Sequence, residues 1–192
     1  MSLNVVCIAR ALIGAAIIML LMPAGSVLAE DRETYNQNEI VDAATGFFGD
    51  TSEGLANVLQ KVFNDLGQPN AFIAGEEVSG AIGIGLRYGK GHLKQKSGEV
   101  NQVYWQGPSI GFDFGGNASK VFVLVYNLSS PNELYQRYPA LDGSIYVVAG
   151  VGANYHQSGS VVLAPVRTGI GFRAGINVGY LHYTKEHSWI PL

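Results

Sequence analysis

The spacing of hydrophobic and polar residues changes period once along this chain, near Ala71, and the change separates helices from strands. Before it, Ile40, Ala44, Phe47 and Phe48 recur at helical spacing behind Asn36. Glu39 completes a capping box three residues on, which predicts a helix from Asn36 to Gly49. A second helix is predicted with Asp50 as N-cap and Glu53 at the third helical position. Its stripe is Leu55, Val58, Leu59, Val62, Phe63 and Leu66, and Gly67 and Pro69 end it. Such a stripe suits a helix that lids a core. The polar face (Asn57, Gln60, Lys61, Asn64, Asp65) lacks the run of basic residues found on membrane-surface helices.

From Ala71 onward the period is two. Ile82, Ile84, Leu86 and Tyr88 share one face, opposite Ala81, Gly83, Gly85 and Arg87. Ile110, Phe112 and Phe114 alternate with Gly111, Asp113 and Gly115. Between Gly169 and Tyr180, Ile170, Phe172, Ala174, Ile176, Val178 and Tyr180 alternate with Gly169, Gly171, Arg173, Gly175, Asn177 and Gly179. Further strands are predicted at Val121 to Leu128 and Ser144 to Tyr155. Turns fall at Ser97-Gly98, Gly115 to Asn117, Ser129 to Asn132, Leu141 to Gly143 and Ser158-Gly159. Strands of ordinary length over this stretch make about eight to ten, and a sheet that large curls or closes. Glycines repeated inside strands imply sharp bending or close approach of another element. The predicted fold is mainly β: a small curved antiparallel β-barrel with two N-terminal α-helices packed against it. Which strand face points inward is left open by the pattern.

The N-terminus reads differently. Ala11 to Met22 is apolar apart from Gly14, follows Arg10, and is broken by Pro23 to Ser26 before Val27-Leu28-Ala29. That order is a secretory signal peptide, residues 1–29, cleaved between Ala29 and Glu30. The run is shorter than the roughly 20 residues that a spanning helix needs, so processing leaves no transmembrane segment. Residues 30–35 form a polar, disordered leader, and 36–192 a single helix-capped barrel domain. Cys7, the one cysteine, leaves with the signal, so the exported chain rests on its core without disulfides. Loss of Arg10 takes the formal net charge from −3 to −4, and no cluster of Lys or Arg forms. Nucleic acid and strongly anionic membrane surfaces are thereby poor partners.

Candidate chemistry is sparse. Gly83 to Gly89 and Gly169 to Gly175 each fit a loose nucleotide-binding pattern. Both continue as strands rather than opening a helix, so no cofactor is expected. The four histidines have no ligand spacing, and no metal is expected. Glu76 and Glu77 read as solvated turn acids, and Tyr104 to Pro108 as an aromatic turn. Arg87, Asp113 and Arg173 lie among glycines, where burial would demand a partner. An Arg87–Asp113 or Arg173–Asp113 ion pair is expected, tying strands together or orienting a ligand.

Across nearly the whole exported chain the sequence resembles the envelope integrity protein A family, periplasmic domains typical of alphaproteobacteria. The resemblance is carried by Phe47-Phe48-Gly49, Gly54-Leu55-Ala56, Gly75-Glu76-Glu77, Gly85 to Gly89, the run Val103 to Lys120, Val125 to Leu128 and Ala164 to Gly169. It implies a small soluble periplasmic β-barrel needed for cell-envelope integrity in Gram-negative bacteria, with no known biochemistry. Gly83 to Gly91, Trp105 to Pro108, Gly111 to Gly116 and Phe122 to Leu128 are also similar, more distantly, to the lipid-binding SYLF (Ysc84-type) domain. Three readings follow: a non-catalytic periplasmic protein that binds lipid or an envelope component, an enzyme on an envelope substrate using Arg87, Asp113 and Lys120, or an interaction domain.

Overall fold

The computed structural model describes residues 33–49, 52–113, 118–168 and 179–187; at 80–84 and 109–113 the description is confined to the backbone. All of these lie in the second of the chain's two compact units, Arg32–Leu192. The expected signal peptide, its cleavage point at Ala29 and Glu30, and Arg173 with most of its strand fall outside the described residues. None of the helices described is long and apolar enough to cross a membrane.

Helix α1, Gln37–Phe48, has the expected capping box: the Asn36 side chain accepts from the Glu39 N–H, and the Glu39 carboxylate accepts from the Asn36 N–H. Gly49 closes it in the left-handed region at φ 85°. Helix α2, Glu53–Leu66, starts later than the sequence predicts, because the cap is Ser52, whose Oγ accepts from the Leu55 N–H. Thr34 and Tyr35, expected in the leader, are tied to the turn after α2. Thr34 Oγ1 bonds Gln68 Oε1, and the Tyr35 N–H donates to the Pro69 carbonyl.

Nine strands follow among the described residues: β1 Ala71–Gln95, β2 Val100–Asp113, β3 Ala118–Tyr126, β4 Arg137–Pro139, β5 Tyr146–Val148, β6 Val151–Ala153, β7 His156–Ser158, β8 Val161–Thr168 and β9 Tyr180–Thr184. All pairings are antiparallel, in the order β4-β9-β2-β1-β3-β8-β6-β5, with β7 also on β8. An isolated bridge between Ala140 and His156 joins β4 to β7. The path therefore returns on itself, and the sheet is the curled, mainly antiparallel barrel that the sequence predicts.

Closure depends on β1. Its first part, Ala71 to Val78, pairs with β3, and its later part, Ala81 to Lys94, with β2. The residues flanking it meet, since the Lys96 N–H donates to the Asn70 carbonyl at 3.1 Å. A strand of 25 residues whose ends touch must bend back on itself. Gly75 and Gly91 occupy the crossing: a Cβ on Gly75 would stand 2.3 Å from the Lys90 carbonyl oxygen and 2.7 Å from Gly91 Cα. This settles the question of faces. The glycine-rich side of β1 points inward, and Leu86 on the bulky side is exposed.

Two cores result. The inner one fills the barrel with Ile73, Leu93, Val103, Trp105, Val123, Leu163, Tyr138 and Tyr183. The outer one lies between the sheet and the helices, where Ile40, Leu55, Leu59 and Val62 meet Phe72, Phe122, Leu124 and Val166. Two sequence expectations are corrected. Tyr104 to Pro108 is no turn but the middle of β2. The strand expected from Ser144 to Tyr155 is broken by Ala149 and Gly150 at φ 47° and 79°, which reverse the chain between β5 and β6.

A buried ion network and an outer groove

Alternation along β1 sends Ile73, Gly75 and Glu77 inward and Glu76 outward. Glu77 is thus 5 % exposed inside the barrel, not a solvated turn acid. Three elements deliver donors to it. Trp105 Nε1 on β2 donates to Oε2 at 2.9 Å. Arg167 on β8 clamps both oxygens, with Nε to Oε1 and Nη2 to Oε2 at 3.2 Å each. Arg87, 3 % exposed on the later part of β1, brings its Nε to 3.3 Å from Oε1. Glycines make room for this: a Cβ on Gly89 would strike the Trp105 ring at 2.0 Å.

The network continues toward the closing seam. Arg167 Nη1 donates to Asn154 Oδ1 at 3.1 Å, and Asn154 Nδ2 lies 2.6 Å from His156 Nε2. His156 Nδ1 in turn lies 3.1 Å from the Tyr138 carbonyl on β4. Burial alone would raise the Glu77 carboxyl above the usual range, but Arg167, Arg87 and the Trp105 hydrogen bond outweigh it and hold it below. Burial, opposed by Glu77, brings Arg87 down to about 10. Burial together with the Arg167 charge brings His156 down to about 4. Burial pushes the Tyr183 phenol up, and its hydroxyl has no hydrogen-bond partner among the described residues.

Of the nominated residues whose side chains are described, Arg87 belongs to this network, where it lies beside Glu77. Register places Arg87 opposite Gly107 and Asp113 opposite Ala81. Six residues of strand separate the two positions along the ladder. The Asp113 side chain and all of Arg173 are outside the described residues. Lys120 sits elsewhere, exposed on β3, where its Nζ donates to the Phe47 carbonyl at 2.8 Å at the end of α1. Arg167, Trp105, Asn154 and His156 were not nominated. The signal for Glu77 was present, because the period of two beginning at Ala71 already puts it beside Ile73 and Gly75.

On the other side of the sheet, beyond the end of α1, lies a groove of about 370 Å³. Val78, Tyr88, Gly89 and Ala118 line it, with Glu76, Lys90 and His187 as its polar groups. Val78 and Leu86 on this face are 44 % and 40 % exposed. Among the described residues, no group of His, Cys, Asp and Glu has the arrangement of a metal site.

The chain is similar to known proteins over nearly all of this structure. The family model described as envelope integrity protein A matches residues 33–192. A crystal structure of a β-barrel-like, uncharacterised protein from Brucella abortus superposes with a TM-score of 0.76 at 48 % identity, covering 83 % of this chain and 99 % of that one. No curated protein matches.

Proposed function

The chain belongs to the envelope integrity protein A family, and on that premise we propose that it is a non-catalytic periplasmic protein that supports the cell envelope by binding lipid or an envelope-associated partner. The observation that carries this reading is the contrast between the two sides of the sheet. Inside, the described charged groups are engaged with one another: Glu77 is clamped by Arg167 and capped by Trp105. Outside, the groove offers apolar walls at Val78 and Ala118 with Glu76 and Lys90 beside them. Apolar walls with a few polar groups suit an amphiphile. Lipid is named as the ligand class because Gly83 to Gly91, Trp105 to Pro108, Gly111 to Gly116 and Phe122 to Leu128 read as distantly similar to the lipid-binding SYLF domain.

The test pairs binding with physiology. Vesicles made from phosphatidylethanolamine and phosphatidylglycerol should co-sediment the wild-type protein. Val78→Asp and Lys90→Glu should weaken that binding at least tenfold. The same variants, folded and exported, should fail to restore detergent resistance to a strain lacking the gene. Full binding and full complementation by both would remove the groove from any role. A strain made resistant again by a variant that lacks residues 1–29 would refute action in the periplasm.

A further inference from the structure

The barrel closes at its weakest point through His156. Elsewhere the strands meet in ladders such as Ala81↔Asp113 to Lys94↔Val100, but β4 and β7 share a lone bridge, Ala140↔His156. Two side-chain contacts and one further backbone hydrogen bond do the rest of the joining. His156 Nδ1 reaches the Tyr138 carbonyl, Ser158 Oγ donates to Gln136 Oε1 at 3.0 Å, and the Leu141 N–H donates to the Tyr155 carbonyl at 2.8 Å.

Hydrogen-bond polarity fixes the state of that imidazole. Arg167 has donors only, so the Asn154 atom facing Nη1 must be the carbonyl oxygen, and Asn154 Nδ2 must face His156. Nε2 therefore accepts, and Nδ1 carries the proton donated to the Tyr138 carbonyl, which accepts only. A second proton on Nε2 would set one N–H against another. Flipping the Asn154 amide offers no escape, because its NH₂ would then face Arg167. The charges around the ring are Arg167 on β8 and Arg87 and Glu77 on β1, and the first two repel an imidazolium. The Tyr138 phenol on β4 donates to the Glu133 carbonyl, and that of Tyr183 on β9 is buried and neutral.

We propose that His156 is an acid-released latch: protonation breaks its contact with Asn154 and opens the β4–β7 seam locally, giving solvent a path to the Glu77–Arg87–Arg167 cluster. The rest of the barrel stays closed because its ladders, including His156↔Leu163 between β7 and β8, are made by backbone and not by the imidazole. The depressed proton affinity of the buried ring is consistent with this.

Amide protection factors, corrected for the intrinsic pH dependence of exchange, separate the possibilities. In protein isolated from its own periplasm, protection at the Leu141 amide should fall at least tenfold between pH 7 and pH 4, while Val123 on β3 keeps its protection. His156→Gln cannot take up the proton but can still donate to Tyr138 and accept from Asn154, so its Leu141 amide should stay protected at both pH values. Asn154→Asp supplies an acceptor to both Arg167 and a protonated His156. It should raise the pH at which the His156 ring titrates by NMR while keeping the seam protected at pH 4, and it serves even if His156→Gln fails to fold. Loss of protection at Leu141 and Val123 together would mean global acid unfolding and overturn the latch. So would a Leu141 amide that stays protected after His156 has titrated, or equal pH dependence in wild type and both variants.

Discussion

The two cores of this protein are of similar extent and are built on opposite principles. Outside the sheet, apolar side chains from α1 and α2 cover Phe72 and Phe122, which stack at 5.0 Å with an interplanar angle of 21°. Inside, aromatic rings and an ion network share a space in which backbone meets backbone at Gly75 and Gly91. The outer core is held by surface area removed from water, a non-directional force that tolerates small shifts of a helix. The inner core is held by fit and by partnered charge, neither of which can shift without breaking something. The difference predicts which substitutions each core will survive.

Glycine gives the largest contrast. In Gly75→Ala the new Cβ meets the Lys90 carbonyl and Gly91 Cα, both backbone, so no rotamer change relieves the clash. Overpacking of this kind costs upward of about 3 kcal/mol, and little folded protein is expected. Gly46→Ala in α1 meets nothing within 4 Å. It should be neutral, or stabilising by up to about 1 kcal/mol through helix propensity. Equal denaturation midpoints for the two variants would mean that β1 does not cross itself as closely as Gly75 and Gly91 require.

Charge gives the next. Glu77→Gln leaves Arg87 and Arg167 buried against a neutral amide, which costs roughly 3–5 kcal/mol. A second change, Arg167→Gln, should recover part of that loss, because the pair is then removed together. Leu59→Ala in the outer core should cost about 2–4 kcal/mol with no such coupling to any charge. Chemical denaturation of the four variants decides it; strict additivity of the Glu77 and Arg167 changes would show that the clamp contributes nothing.

Acid sharpens the comparison because the inner core holds deeply buried groups whose ionisation is bound to folding. The folded pKa of His156 is depressed to about 4 from its ordinary 6.5, so its contribution is present in full above 6.5 and is lost as pH falls toward 4. The whole shift amounts to roughly 3 kcal/mol. Glu77, also depressed, adds a loss that begins below its ordinary 4.5. Thermal unfolding should therefore weaken steadily from pH 6.5 downward, and His156→Gln should flatten the curve between 6.5 and 4.5. An unchanged curve would mean that His156 titrates alike in the folded and unfolded chain.

The same division explains what the sequence could tell. The outer core was legible because it is written in periodicity: the stripe from Leu55 to Leu66, the capping box at Asn36 and the glycine caps were all placed correctly, apart from Ser52 displacing Asp50. A spacing of 3.6 or 2 reports which residues share a face, and that is all an apolar layer requires. The inner network was not legible because it joins Glu77, Trp105, Asn154, His156 and Arg167, which are scattered over 90 positions. Only strand order and register bring them together, and a charge among glycines says that a partner exists without saying which. Asp113 was nominated for its place between Gly111 and Gly115, and its side chain lies outside the described residues. The broken strand at Ala149-Gly150 was missed for a related reason. Its left-handed Ala149 follows from how the chain must reverse against α2, where a Cβ on Gly54 would touch the Val148 carbonyl at 2.9 Å.

The smallest expected effect concerns Lys120, the nominated residue that lies on neither core but at the margin of the outer one. Its Nζ reaches the Phe47 carbonyl, and the ammonium lies 5.4 Å from the centroid of the Phe47 ring. A cation at a helix C-terminus meets unsatisfied carbonyls and the negative end of the helix dipole, an effect of about 0.3–1 kcal/mol at an exposed site. Lys120→Met keeps the aliphatic stem over Phe47 and removes the charge, so it should lower stability by no more than about 0.5 kcal/mol at low salt. Added salt should shrink the difference, since an exposed charge is screened within about 10 Å at 0.1 M. Arg167→Met, by contrast, should stay costly at any salt, because its partner Glu77 is out of reach of solvent ions. Measuring both variants across a salt series separates a marginal cap from an interior clamp. If Lys120→Met proves as costly and as salt-insensitive as Arg167→Met, then Lys120 does more than cap α1, and the line drawn between the two cores is in the wrong place.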